Sequence, residues 1–218
     1  MVLVALLVVG ATSLWLIARE TMGAAPEGAR LARMQRSPQW RDGVFRNRLP
    51  RVDGPYSRMV GEFFFGGSDF RTPDSAITIV PRTAADYREP PASGLRVTWL
   101  GHSTLLLEID GKRVLIDPVW GERASPFTFA GPKRFFAPPL PLGELPDVDV
   151  VVISHDHYDH LDMETIKALT GRNARFAVPL GVGAHLESWG VPPSSIIAVT
   201  PRSMTRWSRS DGGSVRFI

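Results

Sequence analysis

The stretch that decides the fold of this 218-residue chain is Ser154-His155-Asp156-His157-Tyr158-Asp159-His160-Leu161-Asp162. A valine-rich run, residues 147–153, leads into it and predicts a strand that is buried on both faces. Asp162 can cap a helix that we predict over residues 163–169. Because side chains between a buried strand and the following helix converge at the edge of a sheet, we expect this stretch to line a crevice.

The histidines and the carboxylate of this stretch predict a metal site. Imidazole nitrogen and carboxylate oxygen are typical zinc ligands, and the chain has no cysteine that could supply a thiolate. His155 and His157 can bind one ion from an extended segment, and Asp159 and His160 can bind a second. Two neighbouring ions can hold a hydroxide near neutral pH and stabilise the oxyanion that follows its attack. The alternative, a histidine-rich surface loop, is disfavoured because four of the five histidines lie here or at His102.

The surrounding pattern predicts an α/β (α+β) domain. Alternating or continuous apolar runs predict strands, and the Asp110-Gly111 pair predicts a hairpin turn between two of them. The predicted strands cover residues 96–100, 104–109, 113–116, 147–153, 174–178 and 196–199. The predicted helices cover residues 163–169 and 183–189. Hairpins followed by alternating strands and helices are typical of a layered fold.

These residues resemble the metallo-β-lactamase superfamily, whose mark is a His-x-His-x-Asp-His loop, here His155 to His160. Further motifs are similar to its N-acyl-phosphatidylethanolamine phospholipase D-like branch: Trp99-Leu-Gly-His-Ser-Thr104, Leu115-Ile-Asp-Pro118 and Gly131-Pro-Lys-Arg134. The resemblance covers about residues 95–200. It implies an αββα sandwich, a hydrolase with two Zn²⁺ ions, and less specifically a phosphodiester or lipid-like substrate.

The resemblance also implies roles for individual residues. It gives the same four metal ligands, two for each ion. Asp117 would hydrogen-bond a ligand histidine and orient it, with a solvent-exposed turn residue as the alternative. His102 and Asp159 are the catalytic candidates, although His102 could also be a hydrogen-bonded core histidine. Lys133 and Arg134 are candidates for binding a substrate phosphate, but a solvated loop is the favoured interpretation.

The first 18 residues predict an apolar helix and a membrane-associated protein. Val2 to Ala18 carries no charge, and seventeen residues at ~1.5 Å each span about 26 Å, just short of the roughly 30 Å apolar layer of a bilayer. We favour a retained anchor over a cleaved signal peptide because no basic residue precedes the run. The arginines downstream favour a cytoplasmic location for the soluble part, while export stays open.

Residues 19–93 predict an irregular, basic extension that wraps on the surface of the domain. Residues 19–58 contain nine arginines against four acidic residues, a balance of +5. A solvated linker is the favoured interpretation, and contact with anionic lipid head groups is the alternative. Nucleic acid is disfavoured because the arginines are not interleaved with stacking aromatic residues. His185, in the second predicted helix, is expected at the surface and away from the cluster.

The chain lacks part of the site that the superfamily implies. A third histidine for the first ion, a bridging aspartate and a late histidine would follow Ile218. We therefore interpret residues 94–218 as the N-terminal half of the domain, incomplete at the C-terminus.

The leading hypothesis is a membrane-tethered hydrolase that uses a metal-bound hydroxide on a phosphodiester or related ester, with a small molecule or a lipid as substrate. Lactonase, β-lactamase-like or nuclease activity at the same site stays open, as does a truncated, non-catalytic membrane-anchored fragment.

Overall fold

The computed structural model describes residues 1–49, 54–66 and 72–200, and the backbone of residues 205–208 and 214–217. Its centre is a six-stranded sheet whose strands lie side by side in chain order. The strands are β3 (Leu95–Gly101), β4 (Thr104–Ile109), β5 (Lys112–Ile116), β6 (Val150–Val152), β7 (Arg175–Pro179) and β8 (Ile196–Val199). Strands β3, β4 and β5 pair antiparallel with one another, and β5, β6, β7 and β8 pair parallel. The predicted α/β class is therefore confirmed.

Two helices connect the parallel strands. Helix α4 (Met163–Leu169) joins β6 to β7, and helix α5 (Gly183–Ser188) joins β7 to β8. Both lie where the apolar pattern predicts them. The core that they share with the sheet is continuous, and alternate strand residues supply one side of it. Its fully buried members include Leu106, Leu115, Val151, Ile166, Leu169 and Leu186.

Truncation of a core leucine tests this packing. We expect Leu106→Ala to lower the free energy of unfolding by about 2–5 kcal/mol, because the residue is fully buried and its truncation leaves a cavity. Leu95→Ala is the matched control, since Leu95 lies in the neighbouring strand and is 49% exposed. It should change stability by about 0.5 kcal/mol or less. Urea unfolding measures both, and equal losses would contradict the assigned core.

The N-terminal helix α1 covers Val2–Ala18, and all of its side chains except Ala18 are exposed. Among the helices that the structure describes, none has both the length and the apolar character needed to cross a membrane. The prediction of a transmembrane anchor over residues 1–18 is therefore not supported. The physical reason is length, since seventeen residues rise only about 26 Å.

The prediction of an irregular chain over residues 19–93 is wrong for three segments. These are helix α2 (Gly28–Gln35), the hairpin of β1 (Trp40–Arg41) and β2 (Val44–Phe45), and helix α3 (Tyr56–Phe65). The hairpin forms because Asp42 and Gly43 both adopt a positive φ, 53° and 77°, which a tight type I′ turn requires. Parts of this extension, residues 50–53 and 67–71, lie outside the described residues.

Contacts with the domain, more than local preference, hold α2 in place. The guanidinium of Arg30 donates two hydrogen bonds of 2.6 Å to the carboxylate of Glu187. Met34 is buried against Gly181, where a Cβ on the glycine would come within 3.1 Å of the Met34 sulfur and methyl. Such long-range contacts leave no periodic trace in a helix of eight residues, which is why the sequence pattern did not reveal it.

Candidate metal centre

The histidine-rich stretch begins where β6 ends and closes into a tight turn. The backbone N–H groups of His160 and Leu161 both donate to the carbonyl oxygen of His157, at 2.9 and 2.8 Å. This turn brings the imidazole rings together. The ring centroid of His155 lies 4.5 Å from that of His157 and 4.0 Å from that of His160. The three imidazoles therefore cluster and do not spread apart into solvent.

Asp162 begins α4, as predicted, but its carboxylate does not cap the helix. It accepts hydrogen bonds from the backbone N–H groups of Trp120 and Gly121, at 3.2 and 2.8 Å, and from the hydroxyl of Thr165. The carboxylate thus ties the loop that follows β5 to the end of the histidine-rich stretch. This link fixes one wall of the candidate site.

Asp117, buried at the end of β5, orients two of the histidines. One carboxylate oxygen accepts the backbone N–H of Ser154 at 2.7 Å, and the other accepts the Ser154 hydroxyl at 2.7 Å. The second oxygen also lies 2.9 Å from Nδ1 of His160. Asp117 adopts a positive φ of 44°, an uncommon conformation for a residue other than glycine. The alternative of a solvent-exposed turn residue is therefore wrong.

These hydrogen bonds determine which imidazole nitrogens are free to bind a cation. In its neutral form, His160 donates from Nδ1 to the Asp117 carboxylate, which leaves the lone pair on Nε2. The Ser154 hydroxyl uses its one proton on Asp117, so it can only accept from Nδ1 of His155, 2.9 Å away. The neutral form of His155 therefore also has its lone pair on Nε2. Two imidazoles are held in the tautomer that suits metal binding.

Asp159 completes a cluster of ligand atoms with His160 and His102. Its Oδ2 lies 3.6 Å from Nε2 of His160 and 2.9 Å from Nε2 of His102, and the ligand atoms of the three residues lie within 4.8 Å of one another. When His160 is neutral, its Nε2 lone pair and the Asp159 oxygen that faces it repel each other, and a cation between them removes this repulsion. Asp159 and neutral His160 thus fit a divalent metal ion.

His102 reaches this cluster from the turn between β3 and β4. It adopts a positive φ of 48°, and its carbonyl oxygen accepts the indole N–H of Trp99 at 2.8 Å. The side chain is about half exposed, so the alternative of a core histidine is wrong. Burial alone would raise the pKa of Asp159, but the hydrogen bond from His102 lowers this pKa below its ordinary value.

Lys133 and Arg134 already have partners. The ammonium of Lys133 lies 2.6 Å from the Glu122 carboxylate, and both side chains are exposed. The half-buried guanidinium of Arg134 donates to the carbonyl oxygens of Val119 and Gly121, at 2.9 and 3.0 Å, and burial lowers its pKa. Arg134 thus stabilises the loop after β5. The prediction that either residue binds a substrate phosphate stays a prediction.

Two cavities meet at Asp159. The aromatic cavity, about 670 Å³, is lined by His102 and Asp159 and by the apolar side chains of Trp99, Phe135 and Phe136. The second cavity, about 440 Å³, is lined by other residues of the histidine-rich stretch and by the N-terminal segment. Its lining includes His157, Asp159, His185, Thr21 and Met22. A substrate that binds at Asp159 can therefore extend into either cavity.

The expectation that His185 is a surface residue is wrong, because it is partly buried and contacts the histidine-rich stretch at Asp156, although it is not part of the cluster. Its Nδ1 accepts the backbone N–H of Ala24 at 3.2 Å, and its Nε2 lies 3.7 Å from the Asp156 carboxylate. The neighbouring His185 imidazole lowers the pKa of Asp156. A side chain on Gly23 would come within 2.2 Å of Nδ1 of His185, so only glycine permits this contact. That glycine was the one sequence signal for the contact.

Comparisons with known proteins identify relatives of this chain. A family profile described as "Beta-lactamase superfamily domain" matches residues 112–217. A protein from Mycobacterium tuberculosis is 48% identical over 168 residues, which cover 75% of this chain and 44% of that protein. An N-acyl-phosphatidylethanolamine-hydrolyzing phospholipase D from Caenorhabditis elegans is 43% identical over 135 residues, covering 61% of this chain and 37% of that protein.

A metal-dependent hydrolase from Caldivirga maquilingensis is 40% identical over 76 residues, which cover 35% of this chain and 27% of that protein. The chain thus spans less than half the length of each of these three relatives.

Proposed function

Since residues 112–217 of this chain belong to the metallo-β-lactamase superfamily, we propose that the protein is a metal-dependent hydrolase. The proposed ligands are His155 and His157 for one ion, and Asp159 and His160 for a second. The observation that carries the proposal is the placement of the His160 ring, whose Nδ1 lies 2.9 Å from the Asp117 carboxylate while its Nε2 faces the Asp159 carboxylate 3.6 Å away. Zn²⁺ is the proposed metal because it binds imidazole and carboxylate together.

A bound divalent cation supplies Lewis acidity and lowers the pKa of water to near neutrality. The protein's own residues do the rest. Asp117 holds the His160 imidazole in one orientation, so that no rearrangement is needed for its Nε2 to act as a ligand. The aromatic walls beside Asp159 can exclude water from one side of the site once a substrate fills the cavity, which strengthens electrostatic interactions there.

His102 is the proposed proton donor to the leaving group. It shares a 2.9 Å hydrogen bond with Asp159, is half exposed, and lines the aromatic cavity. A proton on Nε2 of His102 is stabilised by the Asp159 carboxylate and can pass to a leaving oxygen in that cavity. This role accounts for a histidine held at the cluster in an uncommon backbone conformation.

Replacement of His102 separates this role from metal binding. We expect His102→Gln to lower kcat by about a hundredfold, because general acid catalysis contributes a factor of about 10² or more. The metal content, measured by plasma mass spectrometry, should stay unchanged. Loss of metal from this variant would instead place His102 among the ligands and contradict the proposed proton transfer.

The proposed substrate is a phosphodiester or related ester with an apolar portion. Trp99, Phe135 and Phe136 form an apolar wall next to Asp159, which suits a lipid or an aromatic ester. The name of the C. elegans relative supports a phospholipid. Turnover of a lactone, a β-lactam or a nucleic acid at the same centre is the second candidate, because the metal ligands would be the same.

A substrate panel tests the proposal. The protein, dialysed against Zn²⁺, is assayed with N-acyl-phosphatidylethanolamine vesicles, an aryl phosphodiester, a lactone, a β-lactam and single-stranded nucleic acid. We expect hydrolysis of the two phosphodiester probes that contain apolar groups, and its loss in the double variant His155→Ala/His157→Ala. Turnover of the lactone alone would contradict the phosphodiester assignment, and equal turnover by the double variant would contradict the proposed centre.

A further inference from the structure

Five arginines surround one concave surface of about 400 Å³ that no catalytic candidate lines. We call it the arginine pocket, and its arginines are Arg33, Arg36, Arg41, Arg46 and Arg48. Its remaining lining includes the polar side chains of Ser37, Gln39 and Asn47. None of its lining residues also lines either cavity at the metal centre. The arginine pocket is therefore a separate feature of the described surface.

Two elements bring the arginines together. Arg33 lies in the last turn of α2, and Arg36 directly follows that helix. Because the two residues are three positions apart, they lie on the same side of the helix. Arg41 of the hairpin pairs with Val44, and the N–H of Arg46 donates to the carbonyl oxygen of Gln39 at 2.8 Å. Arg41 and Arg46 therefore share one face of the hairpin.

The other hairpin face holds the pair of Trp40 and Phe45, whose rings meet edge to face with centroids 5.0 Å apart. This aromatic contact stabilises the hairpin, so its arginine face keeps a defined direction. Helix α2 is in turn attached to α5 through Arg30 and Glu187. The arginine pocket thus stands on a supported frame, and it is not a set of independent surface side chains.

The charge of the arginine pocket is poorly compensated. Within the part of the chain that the structure describes, Arg46 lies 3.7 Å from Asp42, an exposed pair that contributes little. The other four arginines form no ion pair with a described acidic residue. Guanidinium groups stay protonated at all physiological pH values, so their mutual repulsion persists unless an anion enters. By contrast, Arg30 of the same helix is neutralised by Glu187.

We propose that the arginine pocket binds the phosphate group of an anionic ligand. A guanidinium presents two parallel N–H donors that match two phosphate oxygens, and several arginines around one cavity can bind one phosphate from different sides. The volume accommodates a phosphate together with a small polar group such as glycerol. This binding does not depend on the proposed hydrolase activity.

The phosphate can belong to a free phosphate ester or to a lipid head group, and the experiment separates these sources. Calorimetry with glycerol 3-phosphate reports on the free ester, and co-sedimentation with phosphatidylcholine vesicles, with and without phosphatidic acid, reports on the lipid. The protein is first treated with a chelator, so that phosphate cannot bind at a metal ion. Binding in this state is therefore independent of the metal centre.

Matched variants identify the place of binding. Arg36→Gln/Arg41→Gln removes two charges from the arginine pocket, and Arg58→Gln/Arg88→Gln removes two exposed charges outside it. We expect the first variant to bind the phosphate probe at least about tenfold more weakly, because each lost hydrogen bond between charged groups costs about that factor. The control should change binding by about twofold or less. Arg36→Lys/Arg41→Lys should also weaken binding, because it keeps the charge but loses the paired donors.

Binding of glycerol 3-phosphate with this variant pattern would establish a site for free phosphate esters. Binding to phosphatidic acid vesicles alone, with the same pattern, would establish a lipid head-group site. Equal losses in the pocket variant and the control variant would overturn the proposal, as would the absence of binding to both probes.

Discussion

Asp159→Asn is expected to lower metal affinity and hydrolysis by about a hundredfold or more. The Asp159 carboxylate lies between the two histidines of the cluster, with its Oδ2 close to Nε2 of both His102 and His160. Asparagine keeps the shape but removes the negative charge that attracts a cation and holds the His102 proton. Replacing even a residue that only supports a ligand costs about 10- to 100-fold, so loss of a ligand should cost more.

The matched control for this variant is Asp156→Asn. Asp156 lies in the same loop, but its carboxylate faces His185 and not the cluster. We expect it to leave metal affinity within about threefold of wild type, since it is no ligand in the proposed centre. Competition with a coloured chelator measures the affinities. Equal losses in both variants would show that the loop as a whole, and not the Asp159 carboxylate, is responsible.

Asp117→Asn should weaken metal binding by about 10- to 100-fold through a change of tautomer. Asparagine must keep its one oxygen toward the N–H of Ser154, which places its amide nitrogen near Nδ1 of His160. Nδ1 then has to accept, so the proton moves to Nε2 and blocks the atom that would bind the metal. Nitrogen-detected NMR of the His160 ring reports the change of tautomer directly. Competition with the coloured chelator measures the loss of metal affinity.

Asp149→Asn provides the control for a general loss of stability. Asp149 is also buried and accepts the backbone N–H of Arg113, but it lies at the opposite end of β6 from the histidine-rich stretch. We expect it to lower stability by about 1–3 kcal/mol and to leave metal affinity unchanged. If Asp149→Asn reduced metal affinity as much as Asp117→Asn, the orienting role of Asp117 would be contradicted.

The sequence pattern predicted the sheet well because local preference and burial agree there. Strand β4 and helix α4 have the predicted boundaries, since an unbroken apolar period and clear turn residues bound each of them. The predicted strand over residues 147–153 is observed only for Val150–Val152, although the backbone of Asp149 still donates to the carbonyl oxygen of Arg113 and accepts from the N–H of Arg175. An apolar run predicts that a strand exists but does not show at which residue regular pairing ends.

The sequence predicted which residues form the candidate site but not the hydrogen bonds and tertiary contacts that join them. The histidines and Asp159 follow from the motif alone, whereas the serine that relays hydrogen bonds between Asp117 and His155 does not. The same holds for Gly23 and His185, which are 162 positions apart in the sequence but in contact in the fold. Tertiary contacts formed the N-terminal wall of the site, and no local preference encodes them.

The metal content of the purified protein tests the central claim most directly. After dialysis against Zn²⁺ and removal of the free ion, plasma mass spectrometry counts the metal bound per chain. The account predicts about one or more divalent ions per chain in the wild type and a large loss in His155→Ala/His157→Ala. A wild-type chain that binds no divalent metal, or a double variant that retains all of it, would contradict the account.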